Sequence, residues 1–292
     1  MKKRNFVSAV NFSQAPNINF LKTLTTPTGI LQHTKFGVPH RSLGYSLDDN
    51  ARALIVGVEL FRLYKKKEYL DLALIYLSFL VHAKRTNGFF NNFQTYDQKF
   101  LPKVSEDAFG ECIWALGVTI VARVRNDLTF AAKSLFTEIE KNIEKIGSPR
   151  AKAYAILGLC QILKSDSNDR NAQRRLKKLV DDLIILYEKY QDRDWNWFES
   201  SLNYANHILP AALFTAYPFL KEKKVLAVAT VSLEFLERQT RDGCGVPSPI
   251  GSDGWYKKGG ERAIFDQQPV EAADAVVANL AAYKATKKEK YR

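Results

Sequence analysis

The sequence is poor in the residues that several common kinds of protein require. Only three of its 292 residues are cysteines, at positions 112, 160 and 244, and no two of them form a C-x-x-C pair. This number and spacing argue against a disulfide framework and against a zinc–cysteine site. No apolar run approaches the ~18 residues of a membrane-spanning helix, and the N-terminal apolar stretch is too short for a signal peptide. We therefore expect a soluble, cytoplasmic protein without a membrane span.

Motifs for nucleotides and metals are lacking as well. There is no G-x-x-x-x-G-K-[S/T] phosphate loop and no dinucleotide fingerprint after a strand. The four histidines, at positions 33, 40, 82 and 207, do not have the spacing of metal ligands. We expect neither a metal nor a cofactor.

Positive charge is in excess, but mainly at the two ends of the chain. The 43 Lys and Arg against 31 Asp and Glu give a net charge of +12. Residues 1–43 hold six basic residues and no acidic one, and residues 284–292 contribute +4. The part between them is nearly balanced, whereas a groove for duplex nucleic acid is basic along its length. The charge pattern argues against a nucleic-acid partner.

Apolar residues recur at helical spacing from Asp48 onward. Residues 1–43 are broken by proline and glycine, so we expect an extended N-terminal arm (1–43) followed by one helical domain (44–292). The periodicity predicts four helical hairpins and one unpaired helix, and no sustained strand. The predicted helices are 48–64, 69–81, 107–121, 128–146, 149–163, 172–190, 202–217, 223–239 and 270–283.

The two helices of each predicted hairpin differ in character. The first is apolar around its circumference and rich in Ala and Gly, and the second carries a polar, Lys-rich face. Because a helix that is apolar all round is buried and an amphipathic helix faces solvent, this alternation predicts two concentric layers, an all-α, (α/α) toroid. A barrel of six hairpins needs twelve helices, so the toroid is expected to be incomplete at its C-terminal end.

The most unusual segments stand just before the predicted inner helices. Since hairpins alternate in direction, all inner helices begin at one end of the toroid, and these segments converge on one rim. Indole rings stack on sugar faces, while carboxylates and amides bind hydroxyl groups, so such a rim predicts a glycan or oligosaccharide ligand. The segments are 44–54, 105–111, 194–206, 243–255 and 265–271.

Helix capping is a competing explanation for the rim carboxylates. Ser46-x-x-Asp49 is a capping-box pattern, and carboxylates in a first turn are stabilised by the helix dipole whatever their function. For any single carboxylate the two explanations are equally compatible. The recurrence of adjacent pairs, Asp48–Asp49 and Glu106–Asp107, with amides and aromatic residues at the same end favours a site.

The helix dipole also separates the roles of these carboxylates. A first-turn carboxylate is held ionised, which suits a base or a ligand, whereas a general acid needs an apolar setting. Glu199, which follows Trp195 and Trp197, is therefore the predicted acid. The predicted base or sugar-binding carboxylates are Asp49, Asp107 and Asp266. The other predicted substrate-binding residues are Asp48, Asn50, Glu106, Trp195, Trp197, Asn203, His207, Trp255, Gln267 and Glu271; for His207 a structural role is equally compatible.

Three segments resemble the six-hairpin glycosidase-like superfamily, and more narrowly a group of bacterial proteins associated with glycosyltransferases. They are residues 44–54 (GYSLDDNARAL), 194–199 (DWNWFE) with 202–206 (LNYAN), and 265–272 (FDQQPVEA). The resemblance implies an (α/α) toroid and a role in carbohydrate metabolism, without an agreed catalytic set. Relatives continue into a further hairpin, so the gap in the ring is expected to be covered by the arm, by a partner chain, or by a hairpin of a longer parent protein.

The sequence thus favours a carbohydrate-active enzyme of glycosidase type that uses carboxylates in general acid–base catalysis. A non-catalytic glycan-binding or accessory module associated with a glycosyltransferase is the first alternative. A helical scaffold for protein partners is the second, and the carboxylate and tryptophan content of the rim argues against it.

Overall fold

The computed structural model describes residues 14–292. Within this part, nine long helices form four hairpins and one further helix, which confirms the all-α prediction. A short helix, α1 (Asn19–Leu24), precedes them. The long helices are α2 (Leu47–Tyr64), α3 (Lys67–Ala83), α4 (Glu106–Ala122), α5 (Asn126–Ile139), α6 (Pro149–Ser165), α7 (Arg170–Tyr190), α8 (Ile208–Leu220), α9 (Lys223–Gln239) and α10 (Pro269–Thr286).

Two helix boundaries differ from the periodicity. Helix α8 begins at Ile208 rather than at 202, because Asn206 bonds with both backbone groups of Asn203 and holds a turn there. The predicted helix 128–146 ends as an α-helix at Ile139, and residues 140–145 continue as a 3₁₀ helix. Both differences lie at helix ends, where local hydrogen bonds compete with helix propagation.

Caps at both ends explain why the hairpins turn where they do. The side chains of Ser46, Ser105 and Ser148 accept hydrogen bonds from backbone amides in the first turns of α2, α4 and α6. Helices α2, α4, α8 and α10 each end at a basic residue in the left-handed conformation, which turns the chain out of the helix. These basic residues are Lys65, Arg123, Lys221 and Lys287.

The contacts between helices define two layers. Helices α2, α4, α6, α8 and α10 each contact the next in that order, and they form the inner layer. Helices α3, α5, α7 and α9 each pack on the outside of their hairpin partner. Helices α4 and α6 are buried on most of their circumference, whereas α7 is buried along one stripe, as the alternation of apolar and amphipathic helices predicts.

Glycines bring the inner helices α4 and α6 into close contact. A Cβ atom at Gly110 would lie 2.8 Å from the Cα atom of Ala151, and one at Gly117 would lie 2.6 Å from the carbonyl oxygen of Gly158. The spacing along the chain between the two contacts is the same on both helices, so α4 and α6 run parallel and in register. Hairpin connectivity gives all five inner helices the same direction, and their first turns meet at one mouth.

Short antiparallel strand pairs join the connections between helices. They are β1 (Thr34–Lys35) with β2 (Val38–Pro39), β3 (Tyr45–Ser46) with β4 (Phe93–Gln94), and β5 (Ser201–Leu202) with β6 (Tyr256–Lys257).

The segment before α2 is joined to this helix by Asn50, whose Oδ1 atom accepts a hydrogen bond from the amide of Ile30 at 3.0 Å. Residues 1–13 of the predicted arm lie outside the described residues. In residues 14–292 no helix is both long and apolar enough to span a bilayer.

The close approach of α4 and α6 is tested by Gly158→Ala. Alanine is normally favoured over glycine inside a helix by about 0.5–1 kcal/mol, but here its Cβ atom would lie 2.6 Å from the carbonyl carbon of Ile113. We expect the free energy of unfolding in urea to fall by about 1–3 kcal/mol, as in other overpacked interiors. Gly243→Ala is the control, since the new Cβ atom would have no other atom within 4 Å, and we expect a change within about 0.5 kcal/mol. Equal stability of the two variants would contradict the packing argument.

Candidate functional site

The first turns of the inner helices bring charged side chains together at one mouth of the inner layer. Arg52 of α2 lies at the centre of this group: its Nη2 atom is 2.9 Å from Oδ1 of Asp49, and its Nη1 atom is 2.8 Å from Oε1 of Glu111 on α4. The Oδ2 atom of Asp48 is 3.8 Å away. About a third of the side chains of Asp48, Asp49 and Arg52 is exposed, whereas that of Glu111 is 3% exposed. These polar contacts therefore lead from solvent into the interior.

Two buried carboxyl groups on separate inner helices have pKa values raised towards neutral pH. Burial raises the pKa of Glu111 to about 8, because Arg52 offsets the desolvation only in part. Burial and the nearby Glu271 raise the pKa of Asp274 on α10 to about 7. One oxygen of each group, Oε2 of Glu111 and Oδ2 of Asp274, is buried without a hydrogen-bond partner among the described residues. Both carboxyl groups therefore have an oxygen that is free to form a further hydrogen bond.

Two further mouth carboxyls are also affected by burial. Burial, together with the charge of Asp48, raises the pKa of Asp49 even though Arg52 opposes the shift. Burial also raises the pKa of Glu271, whose carboxylate accepts hydrogen bonds from the backbone amides of Ala205 and Asn206. Glu271 thereby joins α10 to the connection that precedes α8.

Arg150, at the start of α6, organises that connection. Its Nη1 atom is 2.7 Å from Oε2 of Glu199, its Nε atom donates to the carbonyl oxygen of Tyr204 at 2.5 Å, and its guanidinium lies over the Tyr204 ring at 4.9 Å. The Tyr204 hydroxyl donates to Asp107 on α4. Since the Arg150 side chain is only 4% exposed, the network fixes the position of Glu199 relative to the inner helices.

The tryptophans that the sequence places at the rim divide into two groups. Trp195 and Trp197 are buried in the core, where Trp195 packs edge-on against Phe235 at 5.2 Å, so neither indole presents a free face to a sugar. The apolar setting predicted for Glu199 is not found, because its carboxylate faces the guanidinium of Arg150. Trp255, in contrast, is half-buried beside Tyr204, with ring centroids 6.5 Å apart.

Several predicted rim residues hold the backbone. Glu106 accepts hydrogen bonds from the amides of Gly147 at 2.8 Å and Ser148 at 2.7 Å, and so caps α6. Asp107 accepts from the Ser148 hydroxyl and from the Ala151 amide in addition to Tyr204. Asn50 is fully buried and Asn203 belongs to the turn before α8. For these residues the capping explanation accounts for the observed contacts.

The remaining predicted residues lie beside α10. Asp266 and Gln267 are exposed in the preceding loop, bonded to Ser252 and Ser248 respectively. His207 is buried beside a cavity of about 570 Å³ that Glu237 and Gln267 also line. Burial lowers the pKa of His207 to about 4, and Glu237 offsets this only partly, so the imidazole is neutral at physiological pH. Among residues 14–292 no group of His, Cys, Asp or Glu side chains has the arrangement of a metal site.

The sequence reasoning did not assign Arg52, Arg150 or Asp274 to the site, and it placed Glu111 among the rim carboxylates without a role. Asp274 could have been identified as a candidate from its position in the helix. The buried residues of α10 follow a helical stripe that includes Glu271, Asp274 and Ala278, so an acid three residues after Glu271 lies on the buried face. A charged residue on an otherwise apolar inner helix marks a group whose pKa is shifted by burial.

Comparisons with known proteins show the fold. No protein-family model and no curated protein sequence matches this chain. Cellobiose 2-epimerase from Bacillus thermoamylovorans superposes with a TM-score of 0.71 at 16% identity over 93% of this chain and 80% of its own. A D-mannose isomerase gives 0.70 at 14% identity over 93% and 79%. The GH76 α-mannanase of Bacteroides thetaiotaomicron gives 0.56 at 15% identity over 84% and 71%. This chain thus has the (α/α) toroid fold of these sugar-processing enzymes.

The buried carboxyl of Asp274 is tested by its effect on stability against pH. The pKa of Asp274 is about 7 in the folded protein, against an ordinary value of 3.8. The folded state therefore binds this proton more tightly than the unfolded state does, and the folded protein loses stability as the pH rises from 3.8 to about 7. Asp274→Asn removes this loss. Between pH 5 and pH 8 we expect the wild type to lose about 2–3 kcal/mol more free energy of unfolding than Asp274→Asn, measured by urea titration at each pH. Parallel curves for the two proteins would contradict the assignment.

Proposed function

We propose that this protein is a carbohydrate-active enzyme of glycosidase type that acts on an oligosaccharide or glycoconjugate through carboxyl groups at the mouth of its inner layer. The observation that carries the proposal is the presence at one mouth of two buried carboxyls with raised pKa values, Glu111 and Asp274, and of the partly exposed carboxyls of Asp48 and Asp49. Cleavage of a glycosidic bond requires one carboxylic acid and one carboxylate. The likeness to sugar-processing toroids supports the substrate class.

In this proposal the proton donor is a buried carboxyl rather than Glu199. Asp274 is the first candidate for the acid and Glu111 the second, because a donor works best when its pKa lies near the operating pH. Asp49, held at 2.9 Å by Arg52, is the partner carboxylate. The acid protonates the leaving oxygen of the glycosidic bond, and the carboxylate activates water or attacks the anomeric carbon.

Substrate binding falls to the partly exposed groups of the same mouth. Trp255 and Tyr204 offer aromatic surface near Asp107, and Glu199 is 22% exposed beside them. Aromatic surface packs on the apolar faces of sugars, while a fixed carboxylate accepts hydroxyl protons. Arg150 holds Glu199 and Tyr204 in one arrangement, so the binding groups are positioned before the sugar arrives.

The first experiment asks whether the protein turns over a sugar. The purified chain is incubated with a panel of oligosaccharides, and reducing ends and C2 configuration are both followed, because two of the similar structures are an epimerase and an isomerase by name. Calorimetry with the same panel measures binding. Release of reducing ends supports the proposal, whereas a change at C2 alone assigns the carboxyls to isomerisation. Binding without turnover assigns the chain to the alternative, a glycan-binding or glycosyltransferase-associated accessory module.

On a substrate found in this way, we expect Asp274→Asn to lower kcat by about 100-fold or more, the usual effect of losing a general acid. The rate of the wild type should fall as the pH rises above about 7, because the acid then loses its proton, and this limb should be absent in the variant. Asp71→Asn, an exposed aspartate paired with Lys67 on α3, is the control and should keep full turnover.

Glu199→Gln separates this proposal from the assignment that the sequence favours. If Glu199 positions the sugar, its loss should raise KM more than it lowers kcat. A collapse of kcat in Glu199→Gln together with normal kcat in both Asp274→Asn and Glu111→Gln would reject the buried acids and restore Glu199 as the proton donor.

A further inference from the structure

A second cavity, of about 360 Å³, lies between the C-terminal halves of the inner helices. Its apolar walls come from four of these helices: Trp114 on α4, Leu157 on α6, Phe214 on α8, and Val277 and Ala281 on α10. We call this cavity the basic well, for the residues at its edge described below. Its volume is within the range of ~300–1,000 Å³ found for small-molecule sites.

The lining of the basic well contains none of the carboxyl groups of the mouth. Trp114, which lines the well, stacks on Tyr154 with the rings nearly parallel, at 19°, and the centroids 5.9 Å apart. Tyr154 is in turn buried within the electrostatic range of Glu111 and Asp274. The basic well is therefore a second candidate site, and its proposed ligand does not depend on turnover at the mouth.

Two lysines lie at the edge of the basic well. Lys164 of α6 and Lys284 of α10 both line it, and neither forms a salt bridge within residues 14–292. Burial lowers the pKa of Lys164, and the positive charges of Lys284 and Arg62 act in the same direction, while Cys160 and Glu59 oppose the shift. The Lys164 ammonium donates to the side-chain oxygen of Gln161 at 3.2 Å. Arg62 is already paired with Glu59 at 2.8 Å. Two like charges beside an apolar cavity are complementary to an anion with an apolar body.

We propose that the basic well binds an amphipathic anion, an aliphatic chain that ends in a carboxylate or a phosphate. The apolar walls remove the chain from water, which contributes about 25 cal/mol per Å² of buried apolar surface. Lys164 and Lys284 donate charge-assisted hydrogen bonds to the headgroup. A neutral aliphatic chain would lack the charge-assisted hydrogen bonds, and a short anion would lack the buried apolar surface.

The probes for this site are decanoate, decyl phosphate, decanol and acetate, each titrated by calorimetry below its aggregation limit. We expect saturable binding of decanoate or decyl phosphate at a single site, weaker binding of decanol, and none of acetate. Tighter binding of decanoate points to a fatty-acid type of ligand, and tighter binding of decyl phosphate to a phospholipid or alkyl-phosphate type. Either order supports an amphipathic anion.

Variants locate the binding. Lys164→Gln/Lys284→Gln should weaken decanoate by about tenfold or more, the value of hydrogen bonds to a charged group, and leave decanol unchanged. Lys66→Gln/Lys133→Gln removes two exposed lysines elsewhere and is the matched control. Ala281→Phe places a ring in the well and should remove binding of both probes.

Three results would overturn the proposal: no saturable binding of either anion, decanol binding as tightly as decanoate, or undiminished decanoate affinity in the lysine double variant. Circular dichroism and the midpoint of thermal unfolding confirm that each variant is folded. Because Lys164 and Lys284 are exposed at the surface, their double variant keeps the test valid even where Ala281→Phe is unstable.

Discussion

The contact of backbone against backbone between α4 and α6 sets the geometry on which the rest of this structure depends. At Gly110, Gly117 and Gly158 the facing helix occupies the space of a side chain. Helices that approach so closely leave little freedom of register, because any shift along the axis brings a side chain into the contact. The first turns of the two helices consequently lie at the same height along the helix axes, and the side chains on these turns reach one mouth.

Burial determines which carboxyls of the mouth have raised pKa values, in the first turn at Asp49 and Glu271 as well as beyond it. The carboxylates in the first turns, such as Asp48 and Glu106, meet the positive ends of the helix dipoles and free backbone amides. Glu111 and Asp274 both stand at the sixth position of their helices, five residues after Glu106 and Pro269. Since the dipole effect fades beyond the first turn, burial dominates there and raises the pKa. The environment of Asp274 costs about 4 kcal/mol of stability when this carboxyl is ionised, and pKa values shifted this far are concentrated at functional sites.

The layer architecture could be predicted from the sequence because it depends on helical periodicity and on the contrast between Ala- and Gly-rich helices and Lys-rich ones. The location of the charged mouth could be predicted too, from the segments that precede inner helices. The residues that each side chain contacts could not be predicted. Trp197 and Trp255 stand in similar segments, yet Trp197 is fully buried, in contact with the distant Phe235 as well as with its neighbour Phe198, and Trp255 is half-buried. Ion pairs such as Arg52 with Glu111 likewise join residues far apart in the chain, and spacing carries no information on them.

The five parallel inner helices also give the molecule two electrically different ends. Acidic residues occupy first turns of α2, α4 and α10, and basic caps end four of the inner helices, as the direction of the helix dipoles favours. Dipoles alone account for cations at helix ends in contact with water. Lys164 and Lys284 lie in the last turns of α6 and α10, so the dipoles favour them as well, but they also share the edge of an apolar cavity, where partial burial and the charge of Lys284 lower the pKa of Lys164. An anion bound between the two lysines would offset their repulsion.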